Sequence, residues 1–536
     1  MAAESGPLAP QANLPSRQKP ADLPGQGKID ELVFGKLRQL GIEPAELCTD
    51  EVFVRRVYLD VIGTLPTAAE ARQFLRDQDP HKRRRLIDLL LERDEFADYW
   101  AMKWSDLLRV KAEFPINLWP NAAQAYHRWI RTSIREDLPY DRFVREMLTA
   151  NGSNFRVPQV NFYRAVQSKD PQAIARTVAL TFMGTRAEKW PEDRLAGMGA
   201  FFAQISYKPT GEWKEEIVSY DPGKTAGQAT GGGAPAAVFP DGTQVRLPPD
   251  RDPREVFADW LLAPGNPWFA RAIANRVWSW LLGRGIIHEP DDIRPDNPPS
   301  IPELLALLEK ELVGAHYDLK HLYRLILNSK TYQLSSIPKS KHPAAAAHFA
   351  AYPLRRLEAE VLIDALNQIT GTTERYSSPI PEPFTFVPEG VRSIALPDGS
   401  ITSPFLEQFG RPPRDTGLES ERSNRTTADQ RLHLLNSSHI QRKIENSPKL
   451  AALFQSAGPA SKAAGRRGRF GKAAAAPSKS PVELVDELYL TILSRYPTKD
   501  ELKTIGEYVQ SAASRREAVV DLAWALINSA EFLYRH

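Results

Sequence analysis

Two segments near opposite ends of the chain follow one local pattern. Residues 58–70 read YLDVIGTLPTAAE, and residues 489–501 read YLTILSRYPTKDE. In each segment a proline stops one helix, a threonine caps the next, and a glutamate three residues later closes a capping box. Each segment leads to an apolar helix that ends in a polar break and an aromatic residue, LIDLLLERDEF (86–96) and LAWALINSAEF (522–532). The repeat predicts the same helical-hairpin module near both ends, with its Tyr, Leu and Ile face buried.

A partial third copy is predicted in the middle of the chain. Ser300 and Glu303 have the spacing of a capping box, and HLYRLILNSKTY (321–332) matches the closing helix. Periodicity predicts helices at 253–263, 267–283, 301–315 and 319–330. EWKEEIVSY (212–220) is strand-like, and AVFPDGTQVRL (237–247) is typical of two strands around an Asp-Gly turn. The predicted fold class is mainly α: a multi-helical two-domain protein with small β-hairpin elements and helical-hairpin modules near both ends.

The length of 536 residues is too great for one ordinary core, so we predict two domains. Residues 1–27 are rich in proline and are expected to form a disordered lead. Residues 223–236 are rich in Gly and Ala and are expected to form a linker. These boundaries leave an N-terminal helical domain at 28–222 and a C-terminal helical domain at 237–536, the latter with a low-complexity basic insert at 458–480.

Charge and cysteine content exclude several classes of protein. A formal net charge of +3 gives no concentrated basic face for nucleic acid. No apolar run approaches the ~20 residues that span a bilayer. Cys48 is the only cysteine, which excludes an intramolecular disulfide framework, a Cys-based zinc site and a Cys-x-x-Cys-His haem attachment. No signal-peptide pattern is visible, so we expect a cytoplasmic protein or one whose export signal lies outside this chain.

A charged segment, FGRPPRDTGLESERSNRTT (409–427), is the first candidate site. Arginine forks bind carboxylates or phosphates with two hydrogen bonds, and a helix predicted from about Thr427 would favour an anion near its start. Three interpretations stay open: a structural ion-pair cluster, a ligand or partner site, and a catalytic acid/base pair. The candidate residues are Arg411, Arg414, Asp415, Glu419, Glu421, Arg422 and Arg425.

A second candidate is the acidic loop HEPDDIRPDNPPS (288–300). Hard oxygen ligands at close spacing are typical of Ca²⁺ or Mg²⁺ sites, although this spacing is not that of an EF-hand. The alternative is a rigid loop of helix caps and ion pairs with Arg284 or Arg294. The candidate metal ligands are His288, Asp291, Asp292 and Asp296.

Six tryptophans fall in or beside helical patterns and are interpreted as core residues. A sugar-binding aromatic platform is the alternative, but no spacing supports it. The six are Trp100, Trp104, Trp119, Trp129, Trp278 and Trp280.

Several long motifs resemble a known pair of domains. FVRRVYLDVIGTLPTAAEARQFL and RRRLIDLLLERDEFADYWAMKWSDLLR are similar to the cytochrome-associated domain of unknown function found in planctomycetes and related bacteria. DPREVFADWLLAPGNPWFARAIANRVWSWLLGRGIIHEPDDIRPDNPPS and FGRPPRD are similar to the planctomycete-specific domain that usually follows it. These are the domain-of-unknown-function families 1549 and 1553, and the resemblance covers roughly residues 28–536. It implies export, and it suggests electron transfer because many relatives carry or accompany c-type cytochrome domains.

This chain departs from those relatives at two places. Where many have Cys-x-x-Cys-His it reads AEKWPEDRLAGMGAFFAQI (187–205), and where many have Cys-Glu-Cys it reads Leu418-Glu419-Ser420. We therefore predict a cysteine-free branch with no cofactor, in which haem is disfavoured. If the two cysteine elements form one centre in relatives, residues 187–190 and 418–420 should lie within ~10 Å, because metal-ligand geometry needs direct approach. Glu188 and Lys189 would then join the charged cluster.

The function predicted first is an uncharacterised, non-enzymatic binding or scaffolding protein of the bacterial envelope, with a protein or polysaccharide partner. The alternative is a hydrolase that acts on a polysaccharide or polyanion through the Arg/Glu cluster. An electron-transfer accessory protein is disfavoured by the lack of cysteines. Family resemblance implies an extracytoplasmic location, and a cytoplasmic location is the alternative.

Overall fold

A computed structural model describes residues 26–224, 237–456, 480–512 and 514–536. Apart from one or two end residues of each, the predicted lead (1–27), linker (223–236) and insert (458–480) lie outside these residues. Helices joined by small strand pairs make up the described chain, so the mainly α class is confirmed. No helix among the described residues is long and apolar enough to cross a membrane.

The helices of the N-terminal half begin and end close to the predicted signals. They are α1 Gln26–Gln39, α2 Asp50–Ile62, α3 Ala68–Arg76, α4 Lys82–Leu91, α5 Asp94–Leu107, α6 Pro120–Arg135, α7 Tyr140–Thr149, α8 Asn161–Arg164, α9 Pro171–Met183 and α10 Glu192–Gly199. Short 3-10 turns lie between several of them, including one at Ala187–Lys189.

The C-terminal half continues the helical pattern, and the four helices predicted between residues 253 and 330 are all present, each one to three residues shorter than predicted at one or both ends. The helices are α11 Pro253–Leu261, α12 Phe269–Leu282, α13 Pro302–Gly314, α14 Leu319–Leu327, α15 Ala359–Thr370, α16 Pro404–Gln408, α17 Ala428–Asn436, α18 Ser438–Glu445, α19 Pro448–Ser456, α20 Pro481–Ile492, α21 Lys499–Ser511, α22 Arg515–Ile527 and α23 Ala530–Leu533.

Three small antiparallel sheets accompany the helices. The first has the order β1-β3-β2, the second pairs β4 with β5, and the third pairs β6 with β7. The β4–β5 hairpin is the one predicted around the Asp-Gly turn, and Gly242 has the positive φ of +91° that such a turn needs. The strands are β1 Gly152–Ser153, β2 Ile205–Pro209, β3 Glu216–Tyr220, β4 Ala237–Val238, β5 Gln244–Val245, β6 Arg355–Arg356 and β7 Tyr534–Arg535.

The capping boxes of the two end modules are confirmed. Thr67 and Glu70 exchange side-chain and backbone hydrogen bonds at the start of α3, and Thr498 and Glu501 do the same at the start of α21. The capping box predicted at Ser300 is wrong. Helix α13 begins only at Pro302, and the backbone N–H of Ser300 donates to the Ile286 carbonyl, so Ser300 is not the N-cap.

The two end modules pack against each other. The tyrosine and leucine that open each repeat are buried, as predicted from the pattern. Ala68 and Ala71 of α3 form a small apolar cluster with Leu490 of α20, and beside it Arg72 pairs with Glu487 at 2.7 Å. The first helix of one module therefore packs on the second helix of the other, and this contact joins distant parts of the chain.

Each end module also contains an arginine that the repeat did not predict. Arg93 pairs with the capping-box Glu70 at 2.8 Å, and Arg495 pairs with the capping-box Glu501 at 2.7 Å. The two arginines come from different positions of the repeat, one after the closing helix and one within the turn. Each binds a second glutamate and lies over the first tyrosine ring of its module: Glu95 and Tyr58 for Arg93, Glu531 and Tyr489 for Arg495.

The apolar core is continuous across both predicted domains. Buried apolar side chains from Ile29 to Phe532 belong to one contact cluster. Trp100 packs against Tyr323 and Trp280, with ring centroids 4.5 and 5.3 Å away. The β6–β7 pair lies beside these rings and consists largely of arginines. Charged side chains are therefore enclosed within the core.

Candidate functional site

Residues 409–427 form a loop between α16 and α17 that packs against the end of α5. Two glycines with positive φ make this path possible. A Cβ on Gly410 (φ +85°) would lie 2.1 Å from the Ser423 carbonyl oxygen, and one on Gly417 (φ +73°) would lie 2.7 Å from the Leu107 carbonyl oxygen. Helix α17 begins directly after Thr427, where it was predicted to begin.

Two acidic residues on neighbouring helices bind the arginines of this loop. Asp106 on α5 accepts from Nε of Arg414 at 2.9 Å and from Nη2 of Arg422 at 2.7 Å. Glu360 on α15 accepts from Nη1 and Nη2 of Arg422 at 2.7 and 3.0 Å. The Glu360 and Arg414 side chains are fully buried. The arrangement is a bridged ion-pair cluster that fixes the loop to two helices.

Arg411 joins the same cluster. Its Nε lies 3.5 Å from the Glu360 carboxylate. Its terminal nitrogens donate to the Ile401 carbonyl and, at 3.2 Å, to the Asp398 carbonyl. Protein oxygens therefore surround the guanidinium, and only 3% of its side chain is exposed.

The ionisation of this cluster is fixed. Burial alone would raise the pKa of Glu360, but Arg422 and then Arg411 lower it to about 2. Burial alone would lower the pKa of Arg422, but Asp106 and Glu360 raise it well above its usual value. Both groups are charged at neutral pH, so they stabilise each other and do not exchange a proton.

A second layer of buried charge lies on the β6–β7 side. Glu358 accepts from Nζ of Lys103 at 2.6 Å and from Arg535. Arg535 also binds Asp60 at 2.9 Å, and Asp60 accepts from two tyrosine hydroxyls. Burial would raise the pKa of Glu358, but Arg535 and Lys103 hold it well below its usual range. These charges tie β7 to α2 and α5.

Glu419 is held by an aromatic donor and an acidic neighbour. Both of its carboxylate oxygens lie 3.0 Å from Nε1 of Trp280, which donates to them. The Glu419 backbone N–H donates to Asp291 at 2.6 Å, and Asp291 pairs with Arg276 at 2.6 Å. Burial raises the pKa of Glu419, and Lys103 opposes this shift.

The other predicted members of the cluster differ in the contacts that they make. Asp415 pairs with Lys111 at 2.7 Å. Glu421 accepts from the backbone N–H groups of Asp415 and Thr416 and makes no salt bridge with a described residue. Three residues are exposed and make no salt bridge within the described ranges: Arg425, Glu188 and Lys189. The structure does not bring these three into the cluster, because their backbone segments face solvent.

One short loop contacts the chain just before residues 187–190 and at residues 418–420, the two segments that were predicted to lie close together. Just before the first segment, the Gly184 carbonyl accepts from the Ile293 N–H at 2.8 Å, and Arg186 pairs with Glu289 at 2.9 Å. In the second segment, Glu419 donates to Asp291, between those two loop residues. Residues 289–293 therefore connect the two parts of the chain.

The acidic loop does not form the predicted metal site. Asp291 is directed at Arg276, and Arg294 binds the next two aspartates of the loop at 3.1 and 3.0 Å. In the part of the chain that the structure describes, no group of three or more His, Cys, Asp or Glu side chains is arranged to hold a metal ion. Arginines occupy the oxygens that a cation would need. Of the four candidates, His288, Asp291, Asp292 and Asp296, only Asp292 and Asp296 meet, and they do so around Arg294.

Sequence reasoning missed the acidic partners of the cluster. Asp106, Glu358 and Glu360 lie outside the charged segment, far from it along the chain. One signal could have found two of them. LEAEVLIDAL (357–366) places carboxylates inside an apolar helical run, and carboxylates are rarely buried unless they are paired.

A different surface carries exposed aromatic rings from three segments. The Trp119 ring centroid lies 6.5 Å from that of Trp213 and 5.4 Å from that of Phe384. Nζ of Lys214 lies over both tryptophan rings, at 5.7 and 5.4 Å from their centroids. Trp213 is 71% exposed and Phe384 is 48% exposed. We call Trp119, Trp213, Lys214 and Phe384 the aromatic surface. The prediction that Trp119 is a core residue is wrong, because it precedes Pro120 at the surface end of α6 and is only partly buried.

Three grooves of the described chain lie away from the charged cluster. One of about 980 Å³ lies between the two end modules and is lined by residues that include Val52, Leu354, Tyr496 and His536. Neither this groove nor two smaller ones of about 480 and 300 Å³ is lined by a residue of the charged cluster. The side chains of Arg411, Arg414 and Glu360 are 0–3% exposed, so these three residues are packed within the protein.

Two family models match the chain. Residues 28–193 match the model described as PSCyt2, a protein of unknown function (DUF1549). Residues 253–509 match the model described as PSD1, a protein of unknown function (DUF1553). No curated protein and no solved structure matches the chain.

Proposed function

The chain belongs to the proteins that pair the PSCyt2 and PSD1 domains, and from this membership we propose that it is a non-enzymatic binding or scaffolding protein of the bacterial envelope. The resemblance to exported relatives supports an extracytoplasmic location. We propose a polysaccharide of the envelope as its partner. Neither domain carries a known chemistry, so the argument for binding rests on the surface of this chain.

The aromatic surface is the observation that carries the proposal. Large exposed aromatic groups usually mark a place where a partner removes them from water. The face of a tryptophan ring suits the C–H face of a sugar ring, and nearby polar groups can bond its hydroxyls. Here Lys214 lies over two rings, and Glu212 and Arg156, which lie 3.9 Å apart, are largely exposed. A mixed aromatic and polar surface of this kind fits a carbohydrate better than an apolar protein segment.

The charged cluster supports a structural role for its own residues. Arg411, Arg414 and Arg422 are each bonded to protein oxygens and are nearly removed from solvent. A hydrolase acting through this cluster, the alternative from the sequence, would need these groups to meet a substrate. We therefore take binding as the proposed function.

The test is a binding measurement on purified protein. Polysaccharide extracted from the envelope of the producing bacterium is titrated into the wild type and into Trp213→Ala and Phe384→Ala. Each substitution should weaken binding about tenfold or more, which corresponds to about 1.4 kcal/mol. Trp524→Ala, which removes an exposed tryptophan of α22, is the matched control and should bind like the wild type.

Three results would contradict the proposal. The first is a wild type that binds no envelope polysaccharide, and the second is binding that the Trp213 variant leaves unchanged. The third is the release of new reducing ends from the polysaccharide, which would favour the hydrolase. Fractionation of the producing cells adds a test of location, and recovery from the cytoplasm alone would refute the envelope.

A further inference from the structure

Arg109 is a buried cation that makes no salt bridge with a described residue, although Glu421 attracts it over a longer distance. It follows the C-terminal end of α5, has a positive φ of 54°, and is 4% exposed. Burial lowers the pKa of its guanidinium to about 10, which still leaves it charged at neutral pH. A charge withdrawn from water is costly unless another charge or several hydrogen bonds compensate it.

The guanidinium has one weak hydrogen bond. Nη1 donates to the Thr416 carbonyl at 3.5 Å. Nε and Nη2 are buried and have no hydrogen-bond partner among the described residues. The neighbouring carboxylates are engaged elsewhere: Asp106 with two arginines, Asp415 with Lys111, and Glu421 with backbone N–H groups.

Other buried arginines show that this arrangement is unusual within the chain. Arg55 and Arg356 also lack a carboxylate partner within 4 Å in the described residues, but each donates at least two hydrogen bonds of 3.1 Å or less to backbone carbonyls. Those carbonyl oxygens compensate their charge. Arg109 lacks comparable acceptors.

The two unpartnered nitrogens form one edge of the guanidinium. Elsewhere in the chain this Nε/Nη2 edge binds carboxylates with two hydrogen bonds. Arg422 uses it on a single oxygen of Asp106, at 3.1 and 2.7 Å, and Arg495 uses it on both oxygens of Glu531, at 2.6 and 2.8 Å. The same edge of Arg109 therefore has the geometry for two oxygens of an anion.

We propose that Arg109 binds a small oxyanion through Nε and Nη2, at a buried site between α5 and the Thr416–Gly417 turn. The ligand is of the size of formate or nitrate, since the site is enclosed by packed side chains. Thr416 is exposed, which gives the anion a route through the turn. The bound anion supplies the direct ion pair that no described carboxylate makes with Arg109, in addition to the longer-range attraction of Glu421.

The test is thermal unfolding of the full chain in sodium formate or sodium nitrate, with ionic strength held constant by a bulky buffer anion. The wild type should be stabilised in a saturable way, as a ligand of the native state requires. Arg109→Met should lose this dependence and, without added formate, should be at least as stable as the wild type, because it removes a buried charge that makes no salt bridge. Arg356→Met is the matched control, and it should be destabilised while keeping the full response to formate.

A crystal structure of the wild type grown in formate covers the case in which Arg109→Met does not fold. Planar density bonded to Nε and Nη2 supports the site, whereas water alone at that edge overturns it. Equal, non-saturating effects of all salts, or an unchanged formate response in a folded Arg109→Met, would also overturn it.

Discussion

Glu360 offers a direct test of how the buried charges stabilise the fold. Its carboxylate is fully buried and binds Arg422 with two hydrogen bonds, at 2.7 and 3.0 Å. Glu360→Gln keeps the shape of the side chain and one acceptor oxygen but removes the charge. Arg422 would then have only Asp106 as a counter-ion, and Arg411 would lose its carboxylate neighbour.

The expected cost follows from the pKa of Glu360, which the arginines lower from 4.5 to about 2 despite burial. Since one pKa unit corresponds to about 1.4 kcal/mol, the ionised carboxylate stabilises the fold by about 3 kcal/mol at pH 7. A folded pKa below the unfolded value gives stability that is complete above pH 4.5 and is lost as the pH falls towards 2. At pH 3.5 the difference between wild type and variant should shrink to about 2 kcal/mol.

Urea unfolding at pH 7 and pH 3.5, followed by circular dichroism and tryptophan fluorescence, gives both differences. Coincidence of the two probes shows that one transition is measured. Glu309→Gln is the matched control, because it breaks a partly exposed pair with Arg271 at 2.8 Å and should cost less than about 1 kcal/mol. The reasoning fails if Glu360→Gln costs no more than this control at pH 7, or if its cost does not depend on pH.

Two further changes test other parts of the fold. Burial raises the pKa of Asp364 to about 6, although Arg392 and two backbone N–H groups oppose the shift. Because the folded protein binds a proton at Asp364 more readily than the unfolded chain does, the free energy of unfolding rises as the pH falls. Between pH 7.5 and 4.5 the wild type should gain about 2 kcal/mol relative to Asp364→Asn in urea unfolding, and parallel pH profiles of the two proteins would contradict this. Leu490→Ala should lower the free energy of unfolding by about 2–5 kcal/mol, because it opens a cavity where α20 packs on α3. A loss below about 1 kcal/mol, like that of an exposed substitution such as Val509→Ala, would show that the end modules do not depend on this contact.

Local sequence signals predicted the fold most reliably at the helix ends. The capping boxes at Thr67 and Thr498 were predictable because a cap involves residues three positions apart. Ser300 has the same spacing and is not a cap: α13 begins at Pro302 with Ile301 at the N-cap, and the Ser300 N–H that Glu303 would bind in a capping box donates to the Ile286 carbonyl instead. A tertiary hydrogen bond overrode the local pattern there.

The sequence predicted the cations of the candidate site but not their acidic partners, because tertiary contacts are not encoded in a local pattern. The cations of the charged segment, Arg411, Arg414 and Arg422, could be named from their density and from the rigid prolines beside them. Their partners Asp106 and Glu360 approach from α5 and α15, and no local rule relates residues that far apart. The aromatic surface was missed because Trp119, Trp213 and Phe384 come from three separate segments that only the folded chain brings together.

Glu419 holds its part of the loop independently of the residues beside it. Its carboxylate accepts from Trp280, and its backbone N–H donates to Asp291. Neither contact involves the flanking positions, where Leu418 is partly buried and Ser420 is exposed. Farther along the loop, Arg414 and Arg422 add the ion pairs with Asp106 and Glu360. Because neither set of contacts uses the side chains of residues 418 and 420, substitutions at these two positions should leave the path of the loop unchanged.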